Sequence, residues 1–303
     1  MIVDTSASSV PFFSIVVPCY NRADIIQETV LAILKQEYRD FELILVDDGS
    51  RDNTLAVAQS LALTDPRIRV FTQPNAERGA ARNHGLREAK GRYVNFFDSD
   101  DEMYPRHLLA VREYLAQHGE VEVVHTGYEI VGDAGQVLAR ENEFRQPTND
   151  ALIENNLLAC NTVFVRRDVA LVNPFEEDRR LASAEDWELW LRLASQYTFH
   201  SITECTFCLR EHAGRSLNTV APEAVRQRDE LFANLMAANA AFRRRYPSQV
   251  AYFVANRYTF ITLTLALAKN RRLDTLRYLA KALQADPTVL WRRRFLASVK
   301  HLL

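Results

Sequence analysis

Residues 93–101 read Y-V-N-F-F-D-S-D-D. A short run of apolar and aromatic residues passes directly into Asp98, Asp100 and Asp101. Continuous rather than alternating hydrophobicity over so few residues reads as a strand buried on both faces. The same pattern recurs at Phe13–Val17 (F-S-I-V-V), ended by Pro18, and at Phe41–Val46 (F-E-L-I-L-V), stopped by Asp47-Asp48-Gly49-Ser50; Ile68–Phe71 is a shorter example. Between these strands lie helical patterns. One runs from Asp24 to Gln36 with Ile26, Val30, Ile33 and Leu34 on one stripe. A second runs to Leu63 with Asn53 as the expected cap, and a third covers Ala80–Ala89 with Gly91 as its terminator. A fourth reaches Gln117 with Pro105 in its first turn. Strands alternating with helices of this length predict an α/β domain with a largely parallel sheet.

Beyond this the text changes. Glu122–Val131 and Gln136–Ala139 flank Gly132-Asp133-Ala134-Gly135 as a hairpin. Asn161–Arg166 and Phe199–Leu209 read as strands, and Glu185–Ala194 (E-D-W-E-L-W-L-R-L-A) as an amphipathic helix. From Ala221 the periodicity is helical only: Leu273, Leu276, Leu279 and Leu283 form one expected stripe, and Asp286-Pro287 opens a last helix. A boundary near 215 separates an expected domain 1–215 from a helical region 216–303.

Composition narrows the classes. The chain has 303 residues, 48% hydrophobic and 25% charged, an ordinary globular balance that excludes disorder and disulfide scaffolds. Lys plus Arg is 37 and Asp plus Glu 39, a net charge of −2, which argues against a nucleic-acid binder. Met1–Val10 has no basic residue and no apolar core, so no secretory signal is expected. No stretch is expected to span a membrane, Phe260–Ala268 being the nearest. The four cysteines suit a reducing, cytoplasmic setting, and Cys205 and Cys208, without a second pair, read as idle thiols rather than zinc ligands.

Ligands of open parallel sheets bind at the carboxyl ends of strands, and the distinctive polar text sits there. D-D-G-S alone is turn chemistry, and D-S-D-D alone could cap the helix after it. Both at strand ends of one α/β domain point to a site. Carboxylates so close repel one another without a cation, and oxygen donors suit Mg²⁺ or Mn²⁺.

At this point the residues closely resemble the inverting family 2 glycosyltransferases. The matching text is S-I-V-V-P-C-Y-N at 14–21, F-E-L-I-L-V-D-D-G-S at 41–50, A-R-N-H-G at 81–85, G-R-Y-V-N-F-F-D-S-D-D at 91–101 and A-E-D-W-E-L-W-L-R at 184–192. R-E-H at 210–212, with Ser216, resembles the family's terminal loop. The resemblance implies the GT-A nucleotide-sugar fold: a Rossmann-like, mostly parallel mixed sheet flanked by helices, with a nucleotide-binding half near 13–101 and an acceptor half near 102–215. It implies that Pro18, Tyr20 and Asn21 line the nucleotide pocket and that Asp48 hydrogen-bonds a uracil or thymine base. Arg82 would lie near the diphosphate, or else form a helix-surface salt bridge. Asp98 and Ser99 would contact ribose or sugar, and Asp100 would be the main ligand of Mn²⁺ or Mg²⁺. Asp101 would either assist the metal or cap the next helix. Asp186 would be the catalytic base, against its plainer reading as a helix N-terminal acid, and His212 would approach diphosphate or metal, or be structural.

The reaction so implied moves a sugar from a UDP- or dTDP-linked donor to a hydroxyl on a glycan, lipid-linked or protein acceptor in glycan or polysaccharide assembly. The rival is a non-catalytic sugar-nucleotide-binding protein of the same fold. One departure concerns Asn75-Ala76-Glu77-Arg78-Gly79, where many relatives have a glycine-rich turn two or three residues after the asparagine. Last, Trp291, Phe295, Val299 and Leu302 share a helical face beside Arg292, Arg293, Arg294 and Lys300. Such a helix either lies on an anionic membrane, at its cytoplasmic face, or docks on the helices before it.

Overall fold

The chain meets its backbone hydrogen-bonding needs first through a sheet. The computed structural model describes residues 10–132, 134–144, 146–211, 221–268 and 271–302. Its strands are β1 Phe13–Cys19, β2 Phe41–Asp47, β3 Ile68–Thr72, β4 Tyr93–Phe96, β5 Glu102–Met103, β6 Val123–Val131, β7 Val137–Glu141, β8 Val163–Arg166 and β9 Phe199–Arg210. The helices are α1 Ile26–Leu34, α2 Thr54–Ala62, α3 Glu77–Glu88, α4 His107–His118, α5 Thr148–Ala151, α6 Arg167–Val172, α7 Glu185–Ala194, α8 Pro222–Ala238, α9 Ala240–Arg245, α10 Val250–Leu267, α11 Arg272–Ala285 and α12 Arg293–Leu302.

The strands join in one nine-stranded sheet of order β3-β2-β1-β4-β8-β6-β9-β5, with β7 paired to β6. β3, β2, β1 and β4 run parallel. β8 is antiparallel to both β4 and β6, so the sheet is mixed. All of β2 is buried, as its uninterrupted apolar run requires. The chain divides into two compact units: Met1–Thr148, Leu158–Phe175 and Thr198–His212 form the first, and Asn149–Leu157, Glu176–Tyr197 and Ala213–Leu303 the second. The sheet lies in the first, on a core that includes Phe13, Ile15, Val17, Leu43, Leu45, Tyr93 and Phe164.

Several local expectations change. Asn53 stands at the N-cap position of α2 without a side-chain cap bond; Asp52 accepts from Thr54 N at 3.0 Å and Thr54 Oγ1 at 2.5 Å instead. Gly91 is not a left-handed terminator of α3, whose C-cap is the extended Ala89. A Cβ on Gly91 would lie 2.5 Å from Ser14 N, so glycine is there for close approach to β1.

The second unit is built on α10, which packs against α8, α11 and α12. The α11 stripe is rotated from the one expected. Thr275, Tyr278, Leu279 and Ala282 are buried, whereas Leu273 is 85% exposed and Leu276 49%. Contrary to expectation, α10 is long and apolar enough by length and composition to cross a membrane. It nevertheless carries Arg257, buried and paired with Asp229 at 3.3 Å. Asp286 caps a 3₁₀ turn, Pro287–Trp291, before α12 begins. Of the two readings of the tail, docking accounts for its apolar face: Phe295, Val299 and Leu302 pack on Ala255, Leu279, Ala282 and Val289. Trp291 is left 85% exposed.

Candidate active site

Parallel register places the polar text on one edge of the sheet. Cys19 pairs with Asp47 and Val16 with Phe96, so the segments after β1, β2 and β4 leave from the same side. Asp48 follows β2, buried, with its N–H donating to Cys19 O at 2.8 Å. Its carboxylate accepts from Gln73 Nε2 at 2.8 Å, Ala76 N at 2.9 Å and Asn75 Nδ2 at 3.0 Å. A carboxylate offers about four acceptor directions, so Asp48 pins the segment after β3 and keeps capacity for one further donor. Gln73 in turn meets His84 Nδ1 at 2.9 Å. Within this segment Glu77 adopts φ +73°, a glycine-favouring conformation at the place where the displaced glycine would have fitted.

The loop after β1 is tied to the same corner. Pro18 pairs in register with Val46, and Tyr20 is exposed. Asn21, at φ +52°, donates its N–H to Ser50 Oγ at 3.0 Å, while its Oδ1 accepts from Arg51 N at 2.9 Å. Asparagine tolerates this left-handed conformation better than most side chains. Cys19 is buried, and burial, reinforced by Asp47, pushes its thiol well above the ordinary range.

After β4 the carboxylates separate by partner. Asp98 Oδ1 takes Arg82 Nη2 at 2.7 Å, and the guanidinium, 1% exposed, lies 5.3 Å from the Phe175 ring centroid. Arg82 is therefore a buried cation fixed in place, not a helix-surface partner. Ser99 is buried, and its carbonyl accepts from Thr29 Oγ1 at 2.9 Å. Asp100 Oδ2 accepts from Arg22 Nη2 at 3.1 Å. Asp101 turns inward and accepts from Asn161 Nδ2 at 2.8 Å and Arg210 N at 3.1 Å. It does not cap α4, whose N-cap is Arg106; it ties the strand end to the starts and ends of its neighbours. The repulsion expected among these carboxylates is thus relieved by Arg82, Arg22 and neutral donors before any metal is considered. Asn161, which also accepts from Asp98 N at 3.0 Å, and Arg22 join the candidate site without a role expected from the sequence. Arg22 directly follows the P-C-Y-N text, the one signal that could have found it.

For a divalent cation the donors are hard carboxylate oxygens, which is the right chemistry. Among the described residues no three His, Cys, Asp or Glu side chains converge on a cage. Mg²⁺-type ions are commonly held by one or two carboxylates and otherwise by substrate phosphates and water, and Asp98 and Asp100 fit that kind of site. His212 and Ser216 lie outside the described residues.

Asp186 belongs to the second unit. It is the second residue of α7, where a carboxylate is favoured by the helix dipole. Its Oδ1 accepts from Trp187 N at 2.7 Å and its Oδ2 from Asn156 Nδ2 at 3.2 Å. The segment bearing Asn156 is clamped along the helix: Trp187 Nε1 donates to Leu152 O at 2.7 Å, and Asn149 Nδ2 to Ala194 O and Tyr197 O at 2.8 and 2.7 Å.

Residues 14–172 match the family model Glycosyl transferase family 2. This chain is a family 2 glycosyltransferase. It is 30% identical over 202 residues to the putative teichuronic acid biosynthesis glycosyltransferase TuaG of Bacillus subtilis (strain 168), covering 64% of this chain and 77% of that protein. It is 29% identical over 204 residues to the UDP-Glc:alpha-D-GlcNAc-diphosphoundecaprenol beta-1,3-glucosyltransferase WfgD of Escherichia coli, covering 67% and 78%. With the hyaluronan synthase of Pasteurella multocida it shares 30% identity over 207 residues, which is 68% of this glycosyltransferase but 21% of the synthase. Among solved structures, S. aureus TarS 1-349 in complex with UDP-GlcNAc aligns with a TM-score of 0.74 at 22% identity, covering 96% of this chain and 88% of that one. The mannosyltransferase PcManGT from Pyrobaculum calidifontis, in complex with GDP-Man and Mn²⁺, aligns at 0.55 and 16%, covering 96% and 86%. The glycosyltransferase therefore has the GT-A fold with a helical C-terminal region. Its A-E-D-W stretch lies beyond the matched 14–172.

Proposed function

We propose that this glycosyltransferase transfers a sugar with inversion from a UDP- or dTDP-linked donor to an acceptor hydroxyl in glycan or polysaccharide assembly. The observation carrying this reading is the convergence of Asp48, Asp98 and Asp100 on the edge where β1, β2 and β4 end, in a family 2 chain. The TarS complex with UDP-GlcNAc supports a uridine donor. Residues 1–215 carry every residue of the proposed site, and 216–303 add a helical region.

Pro18, Tyr20 and Asn21 line the nucleotide pocket, and Asp48 spends its remaining acceptor capacity on the imide N–H of the base. Asp98 and Ser99 orient ribose or sugar, with Arg82 holding the Asp98 carboxylate still. Asp100, with His212, holds Mn²⁺ or Mg²⁺, which supplies positive charge against the leaving diphosphate; the PcManGT complex with Mn²⁺ supports the class of ion. Asp186 accepts the proton of the acceptor hydroxyl as that oxygen attacks the anomeric carbon. Its hydrogen bonds from Trp187 N and Asn156 Nδ2 hold the carboxylate in position. The acceptor is a glycan, lipid-linked or protein hydroxyl. The enzyme works in the cytoplasm, and any peripheral contact with the inner face of a membrane through 287–303 uses exposed Trp291 and Leu296, the Phe295 face being buried.

Asp186→Asn tests the base. Transfer should fall by about 10²–10⁴-fold while UDP binding, read by calorimetry, stays as in the parent. Full retention of turnover would remove Asp186 from the mechanism.

A further inference from the structure

The carboxylates after β4 are neutralised in two different ways. Arg82 is 1% exposed and sandwiched between Asp98 and Phe175, a cation with nowhere else to go. Arg22 is 31% exposed, and its partner Asp100 is 23% exposed. The backbone of Arg22 is anchored, its N–H donating to Thr54 Oγ1 at 2.7 Å, but its long side chain reaches out to Asp100 from that anchor. One cation is built in; the other is placed to move.

We propose that Arg22 is a resident counter-cation of Asp100: it holds the carboxylate in the donor-free enzyme and yields it when metal and nucleoside diphosphate arrive together. The inference rests on the reading above that Asp100 receives the metal. A guanidinium and a divalent cation would draw on the same Asp100 carboxylate, and their mutual repulsion disfavours holding both there. Metal alone must displace Arg22 and leave its charge without the partner it had. Metal arriving with a diphosphate brings new anionic oxygens to the same place, and a guanidinium binds phosphate oxygens in a fork that an ammonium cannot copy. Arg22 thus opposes metal without nucleotide and favours the two together, which makes their binding cooperative.

The test is binding, not turnover. Mn²⁺ affinity is read from the free-ion EPR signal with and without UDP, and UDP affinity by calorimetry with and without Mn²⁺. Relative to the parent, Arg22→Gln should bind Mn²⁺ alone about two- to fivefold more tightly, the scale of a partly exposed ion pair. It should bind UDP in the presence of Mn²⁺ more weakly, so the coupling between the two ligands shrinks. Arg22→Lys, which keeps charge without the fork, should recover the low Mn²⁺ affinity but not the full coupling. Asp100→Asn separates the two levels of inference. If it leaves Mn²⁺ binding unchanged, the metal reading of Asp100 fails. If it abolishes Mn²⁺ binding while Arg22→Gln leaves both Mn²⁺ affinity and coupling at parental values, or weakens Mn²⁺ binding, the counter-cation role is overturned.

Discussion

At the scale of single residues, the site depends on backbone positions as much as on charged groups. Gly49, next to Asp48, has φ +71°, and a Cβ there would lie 2.8 Å from Asn75 N and 3.1 Å from Gln73 O. Both neighbours belong to the segment that Asp48 pins, so a side chain would strain Gly49 and push away the wall its neighbour holds. Gly49→Ala should cost about 1–3 kcal/mol of stability and weaken UDP binding in calorimetry, with Asp186 and its helix untouched. Parental UDP affinity in a destabilised Gly49→Ala protein would show that the 73–76 segment does not form the nucleotide wall. The carboxylates themselves were legible, because three acids after an apolar run are conspicuous. Asn161 and Gln73 were not: an asparagine that bonds two aspartates across the fold reads in sequence like any turn asparagine.

At the scale of elements, the strand–helix alternation before residue 118 could be read from hydrophobic runs, because buried parallel strands have no polar face to confuse the pattern. The insertion of β8 between β4 and β6, and the parallel pairing of β6 with β9, could not, since pairing order is decided by contacts distant in sequence. One such pairing is polar. His107 of α4 meets Thr206 Oγ1 of β9 through Nδ1 at 2.6 Å, and Thr206 Oγ1 donates to Thr126 Oγ1 of β6 at 2.8 Å. With the Thr206 proton so used, His107 donates from Nδ1. Burial pushes His107 down to about 3, and His125 on β6, bonded through Nε2 to Ser201 Oγ at 2.8 Å, to about 4. The folded state therefore refuses protons that the unfolded state accepts below 6.5. Stability should be full above that value and fall as pH drops through 6.5 toward 4, by about 2 kcal/mol per histidine between pH 7 and pH 5. Melting temperature against pH checks this, and His107→Gln should flatten the slope even where it lowers the whole curve. An unchanged slope would mean that carboxylates, not these imidazoles, set acid stability.

At the scale of the whole molecule, a net charge of −2 conceals charges that are placed rather than spread, and the second unit holds a buried pair of them. Arg257 stands in an apolar helix that by composition could pass for a membrane span. Its meaning is not in the local text, because its partner Asp229 comes from α8. Asp229 Oδ1 takes Arg257 Nη1 at 3.3 Å and Asp229 Oδ2 takes Arg228 Nη2 at 2.9 Å. The Arg257 guanidinium lies 4.4 Å from the Trp187 ring centroid and 5.6 Å from that of Phe253. Burial pushes Arg257 down to about 10, with Asp229 opposing the shift, so it remains charged at neutral pH. Removing one partner of such a pair strands a charge in an apolar site, whereas replacing both with apolar residues removes the buried charge together with its partner. Asp229→Asn should therefore destabilise this unit by about 3–5 kcal/mol, while Asp229→Leu combined with Arg257→Met, which leaves only the partly exposed Arg228 without its carboxylate, should lose less. The protein makes the measurement selective: its three tryptophans, Trp187, Trp190 and Trp291, all lie in the second unit. Their fluorescence during urea unfolding therefore comes from that unit. Equal losses in the single and double variants would show that packing volume, not the ion pair, is what Arg257 contributes beneath the helix that carries Asp186.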